Sequence, residues 1–319
     1  MRRAIMALLC GLLVAALPAG AQDYPTKPIR IVVPFAAGGP IDLEARLVGR
    51  FLEARLKQSV VIDNRPGSGG VIGAEVVAKA PADGYTLLYT GGALATMKVM
   101  FSKLSFDPIR DFEPISILKT FATVLATSKH VPAKTLAEFV AYAKTKPGAL
   151  NYGSLGRGPI MLSMEALKKE AGINLVEIQY PGQAQATPAL LSNDIQLTVL
   201  SLDSAQQLMK SGDIVVLAAL GDTRFPQVPD VPTTKELGYK TVIASLWGGL
   251  LAPAGTPKPI IDRLAAESVA FVQTPEEKQR AATSVHIPVG STPQEFRDAI
   301  NGDYRIWQGI AEAINFKPE

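Results

Sequence analysis

Short apolar runs alternate along this chain with longer stretches in which apolar residues recur every three or four positions. Ile29–Val33 is β-branched at four of its five positions and predicts a strand. Residues 42–56 instead place their apolar side chains on one face of a helix. Because this alternation continues along the chain, we predict an α/β fold of βαβ units on a mostly parallel sheet.

The same patterns locate many of the remaining elements. We predict further strands at residues 59–63, 85–89, 123–126, 175–179, 195–200 and 214–220. Helices are predicted at residues 72–79, 136–144, 160–169, 257–273 and 293–314, with another around 188–191. Prolines at positions 226, 229 and 232 indicate an exposed connection before the closing helices.

The N-terminus has the three parts of a secretory signal peptide. Arg2 and Arg3 supply a positive start, residues 5–17 are apolar, and Ala19-Gly20-Ala21 fits the small-residue cleavage pattern. The apolar run is shorter than the roughly 20 residues that a membrane-spanning helix needs. We therefore expect residues 1–21 to be removed after Ala21, and the mature chain to act outside the cytoplasm.

Composition excludes several classes of protein. Without the two signal arginines, 30 basic residues stand against 29 acidic ones, and no Lys/Arg cluster is present. This balance argues against a nucleic-acid partner. The only cysteine, Cys10, leaves with the signal, which excludes thiol catalysis and thiolate metal sites. His130 and His286 form no HExxH pair, so we expect neither a metal nor a cofactor.

Four glycine-rich turns, at residues 37–40, 67–70, 153–158 and 180–183, are typical of strand-to-helix junctions. Such turns let backbone N–H groups approach a ligand, and the helix start that follows favours negative charge. Each could equally be an ordinary tight turn. None matches a sharper motif, because residues 67–73 depart from GxGxxG at Ile72, and neither GxxxxGK[ST] nor GxSxG occurs. Asp42 could cap the helix that follows the first turn or hold the loop open for a ligand.

Longer motifs, taken together and in order, resemble one known family. They lie at residues 24–42, 64–70, 82–88, 111–115, 146–154, 229–233 and 252–257. Examples are Val33-Pro34-Phe35 before Gly38-Gly39 and Asn64-Arg65-Pro66-Gly67. The chain resembles the extracytoplasmic solute receptors of tripartite tricarboxylate transporters, the Bug receptors.

The resemblance implies a fold like periplasmic binding protein type II, with two α/β domains joined by two crossover strands and a ligand cleft between the domains. Residues 22–122 with 247–319 would form domain 1, and residues 123–246 domain 2. The crossovers would fall near residues 121–127 and 244–248. The implied function is a periplasmic receptor that captures a small carboxylated organic acid, performs no chemistry and delivers the acid to integral membrane transporter subunits. We expect a monomer.

The resemblance also implies which residues bind the acid. In the first domain, backbone groups of the first glycine loop would hold one carboxylate, with the expected contacts at Phe35, Ala37, Gly38, Gly39, Ile41, Asp42 and Gly92. The second domain would meet the far end of the ligand through Ser154, Gly156, Gly158, Tyr180, Gly182, Gln183, Leu202 and Asp203. Arg157 is an added charge among these positions and a further candidate contact.

Several positions depart from the usual family pattern. Pro40-Ile41 replaces Ala-Thr and removes a hydroxyl donor, while Gln196 and Leu200 stand where acids are usual. An unpaired buried polar group is costly, so a pocket with fewer polar groups favours a more apolar ligand. We therefore expect a monocarboxylate or an aromatic or branched acid rather than citrate or malate. Arg157 either pairs with a ligand carboxylate or is a solvated loop residue.

An exported α/β enzyme such as a hydrolase is the alternative function. The missing nucleophile elbow, the absence of a mature cysteine and the unpaired histidines argue against it.

Overall fold

The computed structural model describes residues 24–221, 223–244, 246–283 and 286–318. Within these residues the chain forms two β-sheets, both flanked by helices, as the predicted two-lobed α/β fold requires. The predicted signal peptide lies outside the described residues. Among the helices that are described, none combines the length and the apolar character needed to cross a bilayer.

The elements follow one another in three stretches of chain. The first contains β1 (Ile29–Val33), α1 (Pro40–Leu56), β2 (Val60–Asn64), a 3-10 turn (Ser68–Gly70), α2 (Val71–Ala78), β3 (Thr86–Gly91), α3 (Ala93–Met100) and β4 (Phe112–Phe121). The second contains β5 (Thr123–Ser128), α4 (Leu136–Lys144), β6 (Leu150–Ser154), α5 (Pro159–Ala171), β7 (Leu175–Gln179), α6 (Gln183–Leu191), β8 (Leu197–Ser201), α7 (Leu202–Lys210) and β9 (Ile214–Ala219). The third contains β10 (Leu246–Pro253), α8 (Lys258–Val272), α9 (Pro275–Thr283), β11 (His286–Pro288) and α10 (Pro293–Ile314).

The first and third stretches share one sheet, and the second stretch has its own. The shared sheet has the strand order β11-β4-β10-β3-β1-β2, and the other sheet has the order β7-β6-β8-β5-β9. The chain therefore passes between the lobes twice. It leaves after Phe121 and returns at Leu246, and these two residues pair across β4 and β10. The predicted crossovers fall on these two neighbouring passages.

Strand direction departs from the mostly parallel sheet that the sequence predicts. β1 pairs in parallel with β2 and β3, and β6 with β7 and β8. In contrast, β10 is antiparallel to β3 and β4, and β5 is antiparallel to β8 and β9. The crossover explains the difference, because a strand arriving from the other lobe enters its sheet at the edge where the βαβ strands end. The carboxyl ends of the parallel strands in each sheet therefore face the other lobe.

Periodicity predicts some elements well and misses others. The observed bounds of β1, α4, β7 and α10 equal the predicted ones. The pattern misses α3, β4, β6, α7, α9, β10 and β11. α9 is mostly polar, so it shows no wide apolar face, and β4 is almost wholly buried, so its residues do not alternate. The helix expected around residues 188–191 begins earlier, at Gln183, and includes Pro188.

One apolar core extends across both lobes. Two further cores cover the faces of the shared sheet, and a fourth lies in the second lobe. The core that extends across the lobes contains Met100 of α3 and Trp307 of α10 together with Leu162 of α5, all fully buried. α10 also supplies Phe296 to a core of the shared sheet, so this helix packs against both lobes.

A chain of buried charges fixes α1 inside the first lobe. Glu44, which is 1% exposed, accepts hydrogen bonds from Lys119 of β4 at 2.6 Å and from Arg280 of α9 at 3.1 Å. Arg280 also donates to Glu277, whose second oxygen lies 2.8 Å from His286 Nε2. A buried carboxylate without a partner is very costly, so this network constrains where α1 can sit relative to β4 and β11.

Replacing Lys119 with Met should destabilise the fold by about 3 kcal/mol, because it removes one partner of the buried Glu44 carboxylate. Lys258→Met is the matched control, since the Lys258–Asp262 pair is exposed and should contribute less than about 1 kcal/mol. Urea unfolding of both variants measures the two losses. Equal losses would show that Glu44 does not depend on Lys119.

Candidate ligand-binding site

The first glycine loop joins β1 to α1 at the edge of the sheet that faces the second lobe. Ala37 and Gly38 are exposed, while Phe35, Gly39 and Ile41 are half-buried. Gly38 has a φ of 84°, a left-handed conformation that favours glycine, and a Cβ built there would have no neighbour within 4 Å. The loop backbone therefore borders open space just before the helix starts.

Asp42 holds this loop from within. Its side chain is buried, and its Oδ2 accepts hydrogen bonds from the Gly38 N–H at 2.8 Å and from Arg46 Nε at 3.0 Å. Its Oδ1 accepts from Asn64 Nδ2 at 2.9 Å, and Asn64 also donates to the Phe35 carbonyl at 3.1 Å. Because both carboxylate oxygens accept hydrogen bonds from the loop and its neighbours, Asp42 braces the loop.

The charge of Asp42 is stabilised by these contacts. Burial alone raises the pKa of a carboxyl group, but hydrogen bonds from Arg46, Gly38 and Asn64 outweigh it and lower the pKa of Asp42 below its usual value. Asp42 therefore stays ionised at neutral pH and keeps the loop in place.

Most helices around the candidate cleft begin without a side-chain cap. Five of these helices start after a residue that makes no side-chain cap. They are α1 after Gly39, α3 after Gly92, α5 after Gly158, α6 after Gly182 and α7 after Ser201. α2 and α8 also lack such a cap, whereas Thr135 and Thr292 cap α4 and α10. The first N–H groups of a helix have no acceptor within it. The uncapped starts can therefore donate these groups to an anion.

Three loops of the second lobe meet at the carboxyl ends of β6, β7 and β8. Ser154, fully buried, donates its hydroxyl hydrogen to Glu177 Oε1 at 2.5 Å, and its carbonyl accepts from the Tyr180 N–H at 2.9 Å. Burial, followed by the charge of Asp194, raises the pKa of Tyr180, so its hydroxyl stays protonated. A half-buried carboxylate, Glu177, thus lies behind the candidate site.

Gln183 joins the start of α6 to the start of α7. Its Nε2 donates to Ser201 Oγ at 3.2 Å, and its Oε1 accepts from the Ser201 N–H at 3.3 Å. The Leu202 N–H donates to the carbonyl of Ala122, which lies in the crossover, while the Leu202 side chain is buried in the core of the second lobe. Asp203, one residue later, is exposed.

Arg157 lies beside the C-terminal tail. Its guanidinium carbon is 5.8 Å from the centre of the Phe316 ring, a cation–π distance, and its side chain is half-buried. It is therefore not the freely solvated loop residue considered above. On either side of it, Gly156 and Gly158 have no neighbour within 4 Å of a built Cβ.

The structure places the residues from sequence reasoning in two groups, one at the strand ends of each lobe. Reasoning from the sequence did not assign Arg46, Asn64 or Glu177 to the site. Asn64 is the last residue of β2, at the same sheet edge as the first loop, and this position could have indicated its role. Gln196 does not line the cleft as expected, because it precedes β8 and accepts from the Asn151 N–H at the opposite end of the sheet. Leu200 is buried in a core.

Metal ligands are not clustered in the described part of the chain. There, no group of three or more His, Cys, Asp and Glu side chains is placed to hold an ion.

The two lobes, the paired crossovers and the facing strand ends define a periplasmic binding protein, and solved structures agree. The fold matches Rpa4515 of R. palustris, solved with adipate, with a TM-score of 0.85 and 30% identity over 93% of this chain and 100% of that one. It also matches MatC of Rhodopseudomonas palustris, solved with malate, with a TM-score of 0.80 and 28% identity over 90% and 99% of the two chains.

Sequence comparison gives the family. The sequence model of a protein family, described as "Tripartite tricarboxylate transporter family receptor", matches residues 45–316 of this chain. A UPF0065 protein of Bordetella pertussis is 37% identical over 82% of this chain and 83% of its own length. BugT of the same organism is 32% identical over 95% and 94%. The chain belongs to this receptor family, which confirms the resemblance, and it is a solute-binding receptor rather than an enzyme.

Replacing Asp42 with Asn should cost about 1.5–3 kcal/mol at pH 7, because hydrogen bonds to a charged acceptor are lost. The lowered pKa means that Asp42 contributes this stability above its unfolded pKa of about 3.9 and loses it as the pH falls through the folded value. Urea unfolding at pH 7 and pH 3 should therefore show a smaller difference from wild type at pH 3.

The matched control for this variant is Asp203→Asn, which changes an exposed first-turn carboxylate of α7. Its effect should stay within about 0.5 kcal/mol at pH 7. A deficit for Asp42→Asn that is the same at both pH values would contradict the assigned role of the charge.

Proposed function

We propose that this receptor captures a small carboxylated organic acid between its two lobes, with one carboxylate at the start of α1. The observation that carries the proposal is the loop of residues 35–42. The Asp42 carboxylate is already satisfied by protein donors, and the helix start beyond Gly39 has no side-chain cap. Pro40, the first residue of α1, has no N–H, so the next backbone N–H groups are those of Ile41 and Asp42.

The far end of the acid would meet the second lobe. The proposed contacts are the backbone around Gly156 and Gly158, the Tyr180 hydroxyl and the starts of α6 and α7. This proposal retains the residues expected from the sequence, and Asp42, Gln183 and Leu202 would act by shaping the loops. Their hydrogen bonds to other protein groups support that role.

Solved relatives support an acid as the ligand. Rpa4515 was solved with adipate and MatC with malate, both of which are dicarboxylates. In this chain, the half-buried Ile41 extends toward the end of β3, where its Cδ1 lies 3.4 Å from a Cβ built on Gly91. An apolar side chain at this place favours a ligand with an apolar body. A monocarboxylate or an aromatic or branched acid is therefore the proposed class.

The wider role follows from the family. We propose that a signal peptide directs the chain to the periplasm and is cleaved after Ala21, and that the receptor works as a monomer. It would deliver the acid to the integral membrane subunits of a tripartite transporter. Domain 1 would comprise residues 22–122 with 247–319, and domain 2 residues 123–246. The change of sheet between Phe121 and Thr123 supports the first of these boundaries.

Native mass spectrometry of gently purified protein should detect one unmodified small acid per chain. A thermal-shift panel then tests the ligand class, with phenylacetate, 3-methylbutanoate, adipate, malate and citrate as probes. A ligand at a hundredfold excess over its Kd stabilises the fold by about 2.7 kcal/mol. We expect phenylacetate or 3-methylbutanoate to raise the Tm most, and methyl phenylacetate, which lacks the carboxylate, to have no effect. If no carboxylate in the panel raises the Tm, the proposal is wrong.

Replacing Asp42 with Ala should weaken binding of the acid at least about tenfold while the chain still folds. The reason is that the loop of residues 35–42 loses the hydrogen bonds that the Asp42 carboxylate accepts from Gly38 and Asn64. Glu295→Ala is the matched control, since Glu295 accepts from the Thr292 N–H in the first turn of α10. Isothermal titration calorimetry with the most stabilising acid measures both affinities. Equal affinities for the two variants would remove Asp42 from the site.

A further inference from the structure

The second glycine turn has a different environment from the first. It forms the 3-10 turn Ser68–Gly70, between β2 and α2 of the first lobe. A Cβ built on Gly69 would lie 2.7 Å from the carbonyl oxygen of Arg157, which belongs to the second lobe. Real Cβ atoms essentially never approach an oxygen so closely. The turn therefore touches the other lobe, and the contact is possible only without a side chain.

Arg157 lies in the loop between β6 and α5, with Gly156 before it and Gly158 after it. This loop belongs to the candidate ligand site. On its other side, the Arg157 guanidinium lies over the Phe316 ring, in the tail that follows α10. Two separate segments from outside the second lobe's sheet thus hold the same loop.

The conformation of Gly69 adds a second constraint. Its φ is 63° and its ψ is 20°, in the left-handed region that favours glycine. A side chain at this position would be strained in the backbone and would also collide with the Arg157 backbone. The colliding atom is a main-chain oxygen, which cannot turn away as the end of a flexible side chain can.

We infer that the Ser68–Gly70 turn is a docking contact between the lobes, and that Gly69 is a positioning residue for the loop of residues 156–158. This inference rests on the proposed function, because the loop matters only if it meets a ligand there. The second glycine turn does not then bind the acid itself. It holds the loop of residues 156–158 at a fixed position relative to the first lobe, so that the contacts from the two lobes are positioned together.

The inference can be tested first without any ligand. With Cys10 replaced by Ser, the full chain has no cysteine, so spin labels can be attached at Arg50→Cys in α1 and Ala137→Cys in α4. Both positions are exposed, and they lie in different lobes. Double electron–electron resonance then measures the distance between the two spin labels, and so between the lobes. We expect Gly69→Ala to give a longer and broader distance distribution than the parent.

Gly172→Ala is the matched control. Gly172 has the same φ of 63°, but a Cβ built there has no neighbour within 4 Å. Both variants therefore carry the strain of a left-handed alanine, and only Gly69→Ala adds the collision with Arg157. A distance distribution that is the same in the two variants would overturn the inference. If Gly69→Ala does not fold, Gly69→Asn and Gly172→Asn replace the pair, because asparagine tolerates this conformation better.

Native mass spectrometry of the same variants separates the two proposals. If an acid co-purifies with the parent, Gly172→Ala should retain it, while Gly69→Ala should lose at least about nine-tenths of it, in keeping with a coupling of about tenfold. Equal retention by both variants would contradict the positioning role. If no acid is found even in the parent, the proposed function fails, and the distance measurement still decides whether the turn joins the lobes.

Discussion

Two buried carboxylates near the start of α1 constrain much of this structure. Asp42 and Glu44 are each 1% exposed, and a buried charge must be compensated by nearby donors. Asp42 takes its donors from the loop of the candidate site and from Arg46 and Asn64. Glu44 takes its donors from Lys119, near the end of the outgoing crossover strand, and from Arg280. One short stretch of helix thereby fixes the loop of the candidate site relative to the passage between the lobes.

The glycine turns of the first lobe have different physical roles. At Gly38 the backbone borders open space, and its N–H donates to the Asp42 carboxylate. At Gly69 the missing side chain leaves room for the backbone of the other lobe. Both have a positive φ, but Gly38 faces open space whereas Gly69 contacts the backbone of the second lobe. The core shared by α3, α5 and α10 lies along the same seam.

Much of the fold could be predicted from local pattern. Strand β1 appears at its predicted bounds because it is a β-branched run that is almost wholly buried. Helices α4 and α10 do so because each buries one apolar face. Helix α9 could not be predicted in this way, since its sequence is mostly polar. Family motifs supplied the two lobes and both crossovers. Asp42 could be singled out as a first-turn acid after two glycines, whereas Glu177 and Asn64 contact the site residues from other strands.

The sequence by itself determined the alternation of strands and helices, the near-neutral charge and the poverty in catalytic groups. These are local or compositional properties, so they can be read without coordinates. Tertiary structure alone decided the antiparallel direction of β5 and β10, the partners of Asp42 and Glu44, and the contact of Gly69 with Arg157. Each of these contacts is between residues distant in sequence. Local periodicity does not indicate which distant group will contact a buried charge or a glycine backbone.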